Sequence, residues 1–183
     1  MAVGFAWAGE DQEAAAAVVD RLRDLAAPDA ELVQPVPWLD WQSAVDGLFP
    51  HGSRAYWKNT SFNALDAGLI DVLARRAREQ SWRGTGFDLH HMGGAFGRIP
   101  EEATSFPVRD ARYWLNVYGF WTDPANDVHH TAFVRGVAAD AEPFSGGGQY
   151  VNFMGAENPA SAAPDVYSGE KLARLAALKQ AVD

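Results

Sequence analysis

Tyr150 and Asn152 stand two apart in QYVNF, directly after the glycine run Gly146 to Gly148. As a short strand, this segment would turn both side chains to one side and offer a phenol and an amide beside backbone that can be approached closely. A phenol there can hold or relay a proton, but it becomes a base only when neighbours lower its pKa from about 10.

A second group lies in YWLNVYGFW, residues 113–121. Its aromatic and β-forming content and lack of charge predict a central strand over Tyr113 to Trp121. Alternation places Trp114, Asn116, Tyr118 and Phe120 on one face and Leu115, Val117 and Gly119 on the other. The second set belongs against helices. The first suits a ligand-lined face, and equally a second hydrophobic layer or a subunit interface, and the pattern leaves these open.

The histidines come as adjacent pairs, His90-His91 and His129-His130. Neighbours point to opposite faces on a strand and diverge by about 100° on a helix, so neither pair offers two ligands to one ion. With no HExxH motif and no cysteine, no metal site is expected. A single His90 or His91 facing the same pocket as Asn116 is a better reading than a metal ligand, with a hydrogen-bonded structural histidine the more common outcome.

Elements must hold these groups in place. Val3 to Trp7 is expected as a strand, and the acidic cluster Glu10, Asp11 and Glu13 opens an alanine-rich helix with Val18, Leu22 and Leu25 on one face. Pro35 and Pro37 make 32–38 an extended connector or an edge strand, with a short helix over Asp40 to Leu48. HGSRAYWKN enters a strand. Phe62, Leu65, Leu69, Val72 and Leu73 have helical spacing, closed by Arg75, Arg76 and Arg78. Phe87 to Met92 reads as a strand, and Gly93-Gly94 marks a bulge or close backbone approach. Asp123 and Pro124 start a helix that would bury Val128, Ala132 and Phe133. Ser168 caps a last helix carrying Leu172, Leu175 and Leu178. This order predicts one α+β domain over 1–183, an antiparallel β-sheet with helices packed on one face and the other face needing a cover.

Composition bounds the function. The chain has 183 residues, 15 Lys and Arg against 24 Asp and Glu, a net charge of −9 and no cysteine. A nucleic-acid backbone or an anionic membrane surface would be repelled, and disulfides and thiol chemistry are absent. No GxGxxG, GxxxxGK[ST] or GxSxG occurs, so dinucleotide, nucleoside-triphosphate and serine-hydrolase readings lack support. The first residues have no basic region and turn acidic early, and no apolar run reaches the ~18 residues of a membrane span. The expectation is a cytoplasmic protein. Aromatic residues, at 12%, suit either a rich core or a pocket for a planar ligand.

In their order and spacing, HGSRAYWKN, HHMGGAFGRIPEEATSFPVRDARYWLNVYGFW and GGGQYVNFM resemble the C-terminal, substrate-domain region of berberine-bridge-like FAD-linked oxidoreductases. The likeness runs from about residue 30 to residue 154. It implies a sheet backed by helices whose open face roofs the flavin ring of FAD. It also implies that His90, Trp114, Asn116 and Tyr118 line the substrate cavity and that Tyr150 and Asn152 approach both ring and substrate as the catalytic and cofactor-contacting pair. Where some members carry a carboxylate base, this chain places Trp114, and Tyr150 takes that role by default. The family's FPHR reads FPVR through Val108. The N-terminal FAD-binding domain has no counterpart, so the flavin would come from a separate chain or a missing region. The substrate would be a small organic molecule, and a homodimer mate is another cover for the open face. A cofactor-free binding protein or cyclase using the same aromatic cavity is the alternative.

Overall fold

The computed structural model describes residues 2–48, 50–154 and 166–182. The chain divides into two compact units, 1–44 and 45–183.

The first unit holds α1 (Gln12–Leu25) and α2 (Trp38–Ser43). Asp11 caps α1, its carboxylate accepting from the Ala14 N–H at 2.9 Å, which satisfies one of the donors a helix start leaves open. Residues 3–7 form no strand. The alternation there is genuine, but a strand needs a partner, and the described residues of this unit supply none. On α1 the buried residue is Val19, while Leu25 is exposed. The short helix expected over Asp40 to Leu48 is split into α2 and a 3₁₀ turn, Asp46–Leu48.

The second unit is α+β. β1 (Arg54–Phe62), β2 (Thr85–His91) and β3 (Tyr113–Trp121) form an antiparallel sheet in the order β1-β3-β2. α3 (Ala67–Arg78) follows β1, α4 (Asp127–Ala141) follows β3, and α5 (Gly169–Val182) follows later in the chain. Leu115 and Val117 of β3 join Phe62, Leu69, Val134, Val137 and Ala141 in one buried cluster, so the helices cover the face that the alternation assigned to them.

Two details differ from the sequence expectation. Phe62 ends β1, paired with Tyr113, and does not begin α3; its side chain enters the core from the strand, and the chain turns before Ala67. On α4 the buried set is His130, Val134, Val137 and Ala141, while Val128 is 84% exposed and Ala132 is also exposed. An imidazole takes the place that apolarity would have given to valine, because His130 stacks on Trp82 with ring centroids 3.8 Å apart. Phe133 is half-buried against the core, as expected.

Asp127 pins α4 to the sheet. Its carboxylate accepts from Arg54 Nε and Nη2, each at 2.5 Å, and from Trp121 Nε1 at 2.6 Å. Arg54 and Trp121 are register partners on β1 and β3, so one acidic side chain in the first turn of α4 ties together two strand ends. The position also suits the positive end of the helix dipole. The hydrogen bonds from Arg54, then Trp121, hold its pKa below the usual carboxylate range.

His130 makes stability depend on pH. Burial pushes its pKa down, and neighbouring His129 adds to that. The folded state therefore prefers the neutral ring. Its full contribution is present above the unfolded pKa of about 6.5 and is lost as pH falls through the lower folded value. The Asp127 contribution has the same sign but fades only in the carboxylate range. Thermal unfolding of the wild type is expected to shift to lower temperature on going from about pH 7 to pH 5, and His130→Phe, which keeps the stack on Trp82, to shift less. Equal shifts would remove His130 as the cause.

Candidate functional site

The sheet face opposite the helices carries the chemistry. Register aligns its side chains in rows across β2, β3 and β1: Gly86, Tyr118 and Trp57; then Asp88, Asn116 and Asn59; then His90, Trp114 and Ser61. The middle row is polar and its neighbours are largely aromatic. Trp57 lies 5.5 Å from Tyr118 and 5.1 Å from Phe120 between ring centroids.

QYVNF reaches this face without being a strand. Val151–Phe153 is a 3₁₀ turn, closed by bonds from Phe153 N to Tyr150 O at 3.0 Å and from Met154 N to Val151 O at 3.2 Å. Asn59 clamps it to the sheet: its Oδ1 accepts from Tyr150 N at 2.8 Å, and its Nδ2 donates to Phe153 O at 2.8 Å. The backbone groups that a strand would have paired along a ladder are satisfied by one buried amide. Tyr150 and Asn152 still share a side, because Asn152 Nδ2 donates to the Tyr150 phenol oxygen at 2.8 Å.

The Tyr150 ring lies 4.7 Å from Phe106, 5.6 Å from Phe153 and 5.7 Å, edge-on, from Trp114. Phe106 is itself anchored. The Arg109 guanidinium sits over the Phe96 and Phe106 rings at 4.7 and 4.9 Å, a cation–π arrangement. Lys171 of α5, buried, donates to Phe106 O at 3.0 Å and pairs with Glu101. Ser168 caps α5 at the amide of Lys171, as expected.

The residues expected from sequence thus fall on one side of the sheet, but at different depths. Trp114 and Asn116 are each only 4% exposed, with Trp114 Nε1 donating to Asn116 Oδ1 at 3.4 Å; the Trp114 ring packs beneath Tyr150. Tyr118 is half-buried, and His90 and Asn152 are exposed. Sequence reasoning missed Trp57, Asn59 and Asp88. Period-two alternation along YWKNT, and Asp88 two residues before His90 on a strand, were signals that could have found them.

Burial, then the nearby Asp88 charge, pushes the Tyr118 phenol above its ordinary pKa, which makes it a proton donor at neutral pH and a poor base. The hydrogen bond to Asp88 raises His90. His91 points away, its ring 5.5 Å from Tyr113 on the helix-covered face. Among the described residues no cluster of His, Asp and Glu has the make-up of a metal site, and no helix is long and apolar enough to cross a membrane. A depression of about 570 Å³ lined by Gly97, Ile99, Val108, Arg109 and the 146–148 glycines contains none of the expected site residues. Arg109 there is committed to the Phe96 and Phe106 rings and to Thr104, so the sheet face is the better site.

No protein-family model and no curated protein matches the sequence. Solved structures do match the fold. Physcomitrella patens BBE-like 1 superposes with a TM-score of 0.72 at 19% identity, covering 94% of this chain and 40% of that one. 6-Hydroxy-D-nicotine oxidase from Arthrobacter nicotinovorans gives a TM-score of 0.72 at 16% identity, with 94% and 39% covered. CrmK, a flavoenzyme of caerulomycin biosynthesis, gives 0.66 at 18% identity, with 80% and 33% covered. The chain therefore shares the fold of part of the berberine-bridge-like oxidoreductases and spans about 40% of the length of the first of them.

Proposed function

We propose that this chain is the substrate-binding part of a berberine-bridge-like FAD-dependent oxidoreductase that oxidises a small organic molecule, the flavin being supplied by another chain or region. The observation that carries this reading is the aromatic face: the helices bury one side of the sheet, and on the other Trp57, Tyr118, Phe120 and Phe153 stay partly exposed beside Asp88, with the amides of Asn59 and Asn116 buried beneath the turn. These rings pack on one another and leave an aromatic surface of the kind that contacts a planar heterocycle, and the likeness to part of known flavoenzymes supports the same assignment.

Bound flavin would supply a two-electron acceptor. The chain's own residues would do the rest. Trp57 and Tyr118 would provide an aromatic contact surface, their rings tilted by 44° to each other, with Tyr118 as a protonated donor, and Asn59 would hold the turn that presents Tyr150 and Asn152. Trp114, bonded to Asn116, would support Tyr150 from below and keep water from its inner side.

The test is a visible absorption spectrum of the full chain purified alone and together with the products of neighbouring genes. Flavin bands are expected in at least one pairing, retained through size exclusion. Their absence from every pairing, while an aromatic ligand still perturbs the Trp fluorescence, would instead favour cofactor-free binding at the same face.

A further inference from the structure

Asp88 and His90 of β2 share the open face with Asn116 and Trp114, their register partners on β3. His90 Nε2 lies 2.5 Å from Asp88 Oδ2, and both side chains stay accessible, at 53% and 42%. This contact sets the tautomer. An ionised carboxylate only accepts, so Nε2 carries the shared proton; in the neutral ring Nδ1 keeps its lone pair, and the same contact favours the imidazolium once Nδ1 takes up a proton.

Gly86 is the next residue of β2 on this face. A Cβ there would come within 2.9 Å of the Tyr118 hydroxyl oxygen, so the phenol lies over Gly86, beside Asp88. The accessible part of the face thus runs along β2, from the Tyr118 phenol over Gly86 past Asp88 to an accessible, carboxylate-oriented imidazole, with Asn116 and Trp114 buried alongside. Alternate rows on a strand are about 7 Å apart, so the whole span suits a fused-ring molecule better than a single ring. On the described part of this face the ionisable groups are Asp88, His90, Tyr118 and Tyr150; the β1 residues of the three rows, Ser61, Asn59 and Trp57, carry none.

The geometry points to a subsite for a fused-ring phenol, in which His90 Nδ1 accepts the hydroxyl proton and Asp88 holds the imidazolium that results. The substrate O–H bond breaks, an N–H bond forms on Nδ1, and the electron pair stays on the phenolate oxygen. His90 is the proton acceptor and Asp88 its positioning residue. Tyr150 is thereby relieved of the base role that the family resemblance implies. The inference rests on reading the open face as the substrate surface, but it requires no flavin.

The test uses the full chain without flavin and a nitronaphthol, a fused-ring phenol whose colour reports its ionisation at weakly acidic pH. Bound to the wild type, the probe is expected to ionise at a proton concentration roughly tenfold higher than in free solution. His90→Gln and Asp88→Asn should each return its titration to the free value, whereas Tyr150→Phe should keep the shift. Both β2 side chains are accessible, so the variants are expected to fold, as circular dichroism melting would verify. Absence of binding, an unshifted titration, or a shift that survives His90→Gln but disappears in Tyr150→Phe would each overturn the assignment. Because colour is read without flavin, the proposed oxidoreductase role can fail while this result stands, and the reverse.

Discussion

Asn59→Leu is expected to free the Tyr150–Phe153 turn from the sheet and to abolish ligand binding at the open face. Asn59 is only 6% exposed and makes both halves of the clamp, accepting from Tyr150 N and donating to Phe153 O, each at 2.8 Å. Leucine fills similar volume but leaves a donor and an acceptor without partners, at a cost of about 2–3 kcal/mol. The turn can avoid that cost by lifting into water, which carries the Tyr150 ring away from Trp114. Asn59→Asp would keep the acceptor for Tyr150 N while setting a carboxylate against the Phe153 carbonyl, so it should recover only part of the loss. Hydrogen exchange reads the difference directly. The Tyr150 amide should exchange much faster in Asn59→Leu, with the amides of β3 near their wild-type rates. Unchanged protection at Tyr150 would mean that aromatic packing against Phe106 and Trp114 holds the turn.

That residue also marks where sequence reading stops. β3 was legible to its ends, Tyr113 and Trp121, because nine uncharged, mostly β-favouring residues fit no surface element and their alternation sorts the core face from the open one. The sheet with helices behind it follows from the same pattern. QYVNF was misread as a strand because its residues suit one, while its backbone partners lie in a side chain more than ninety positions earlier. Propensity is local, and the clamp is not. Val128 fails for a related reason: hydropathy put it inside α4, but the inward position belongs to His130, whose stacking on Trp82 depends on a contact across the fold. The resemblance found the face and the Tyr150 side of it, while Asp88, Asn59 and Trp57, each signalled by alternation along its own strand, were joined to that face by the register that sets three strands side by side.

Gly84→Ala is expected to be the most damaging single-methyl change in the sheet. Gly84 stands just before β2, where Phe120 N donates to its carbonyl at 2.7 Å. A Cβ on Gly84 would lie 2.1 Å from Phe120 O and 3.4 Å from the Trp82 ring. The first neighbour is backbone in the central strand, so it cannot move aside as a side-chain end would. Relief requires the start of β2 to separate from β3, losing the Phe120 bond and disturbing Trp82, whose Nε1 donates to the same Phe120 carbonyl at 3.1 Å. The cost should reach about 3 kcal/mol, the upper part of the overpacking range. Gly47→Ala, where an added Cβ meets nothing within 4 Å, should stay within about 0.5 kcal/mol of wild type. Urea unfolding of the two variants makes the comparison, with Trp fluorescence as the probe. The functional consequence follows from register. Shifting β2 displaces Gly86, Asp88 and His90 together, so the variant should lose the nitronaphthol shift even at temperatures where it remains folded. A Gly84→Ala protein of wild-type stability would show that β2 is held more loosely than this pairing implies, and a freely sliding β2 could not keep Asp88 and His90 in place on the open face.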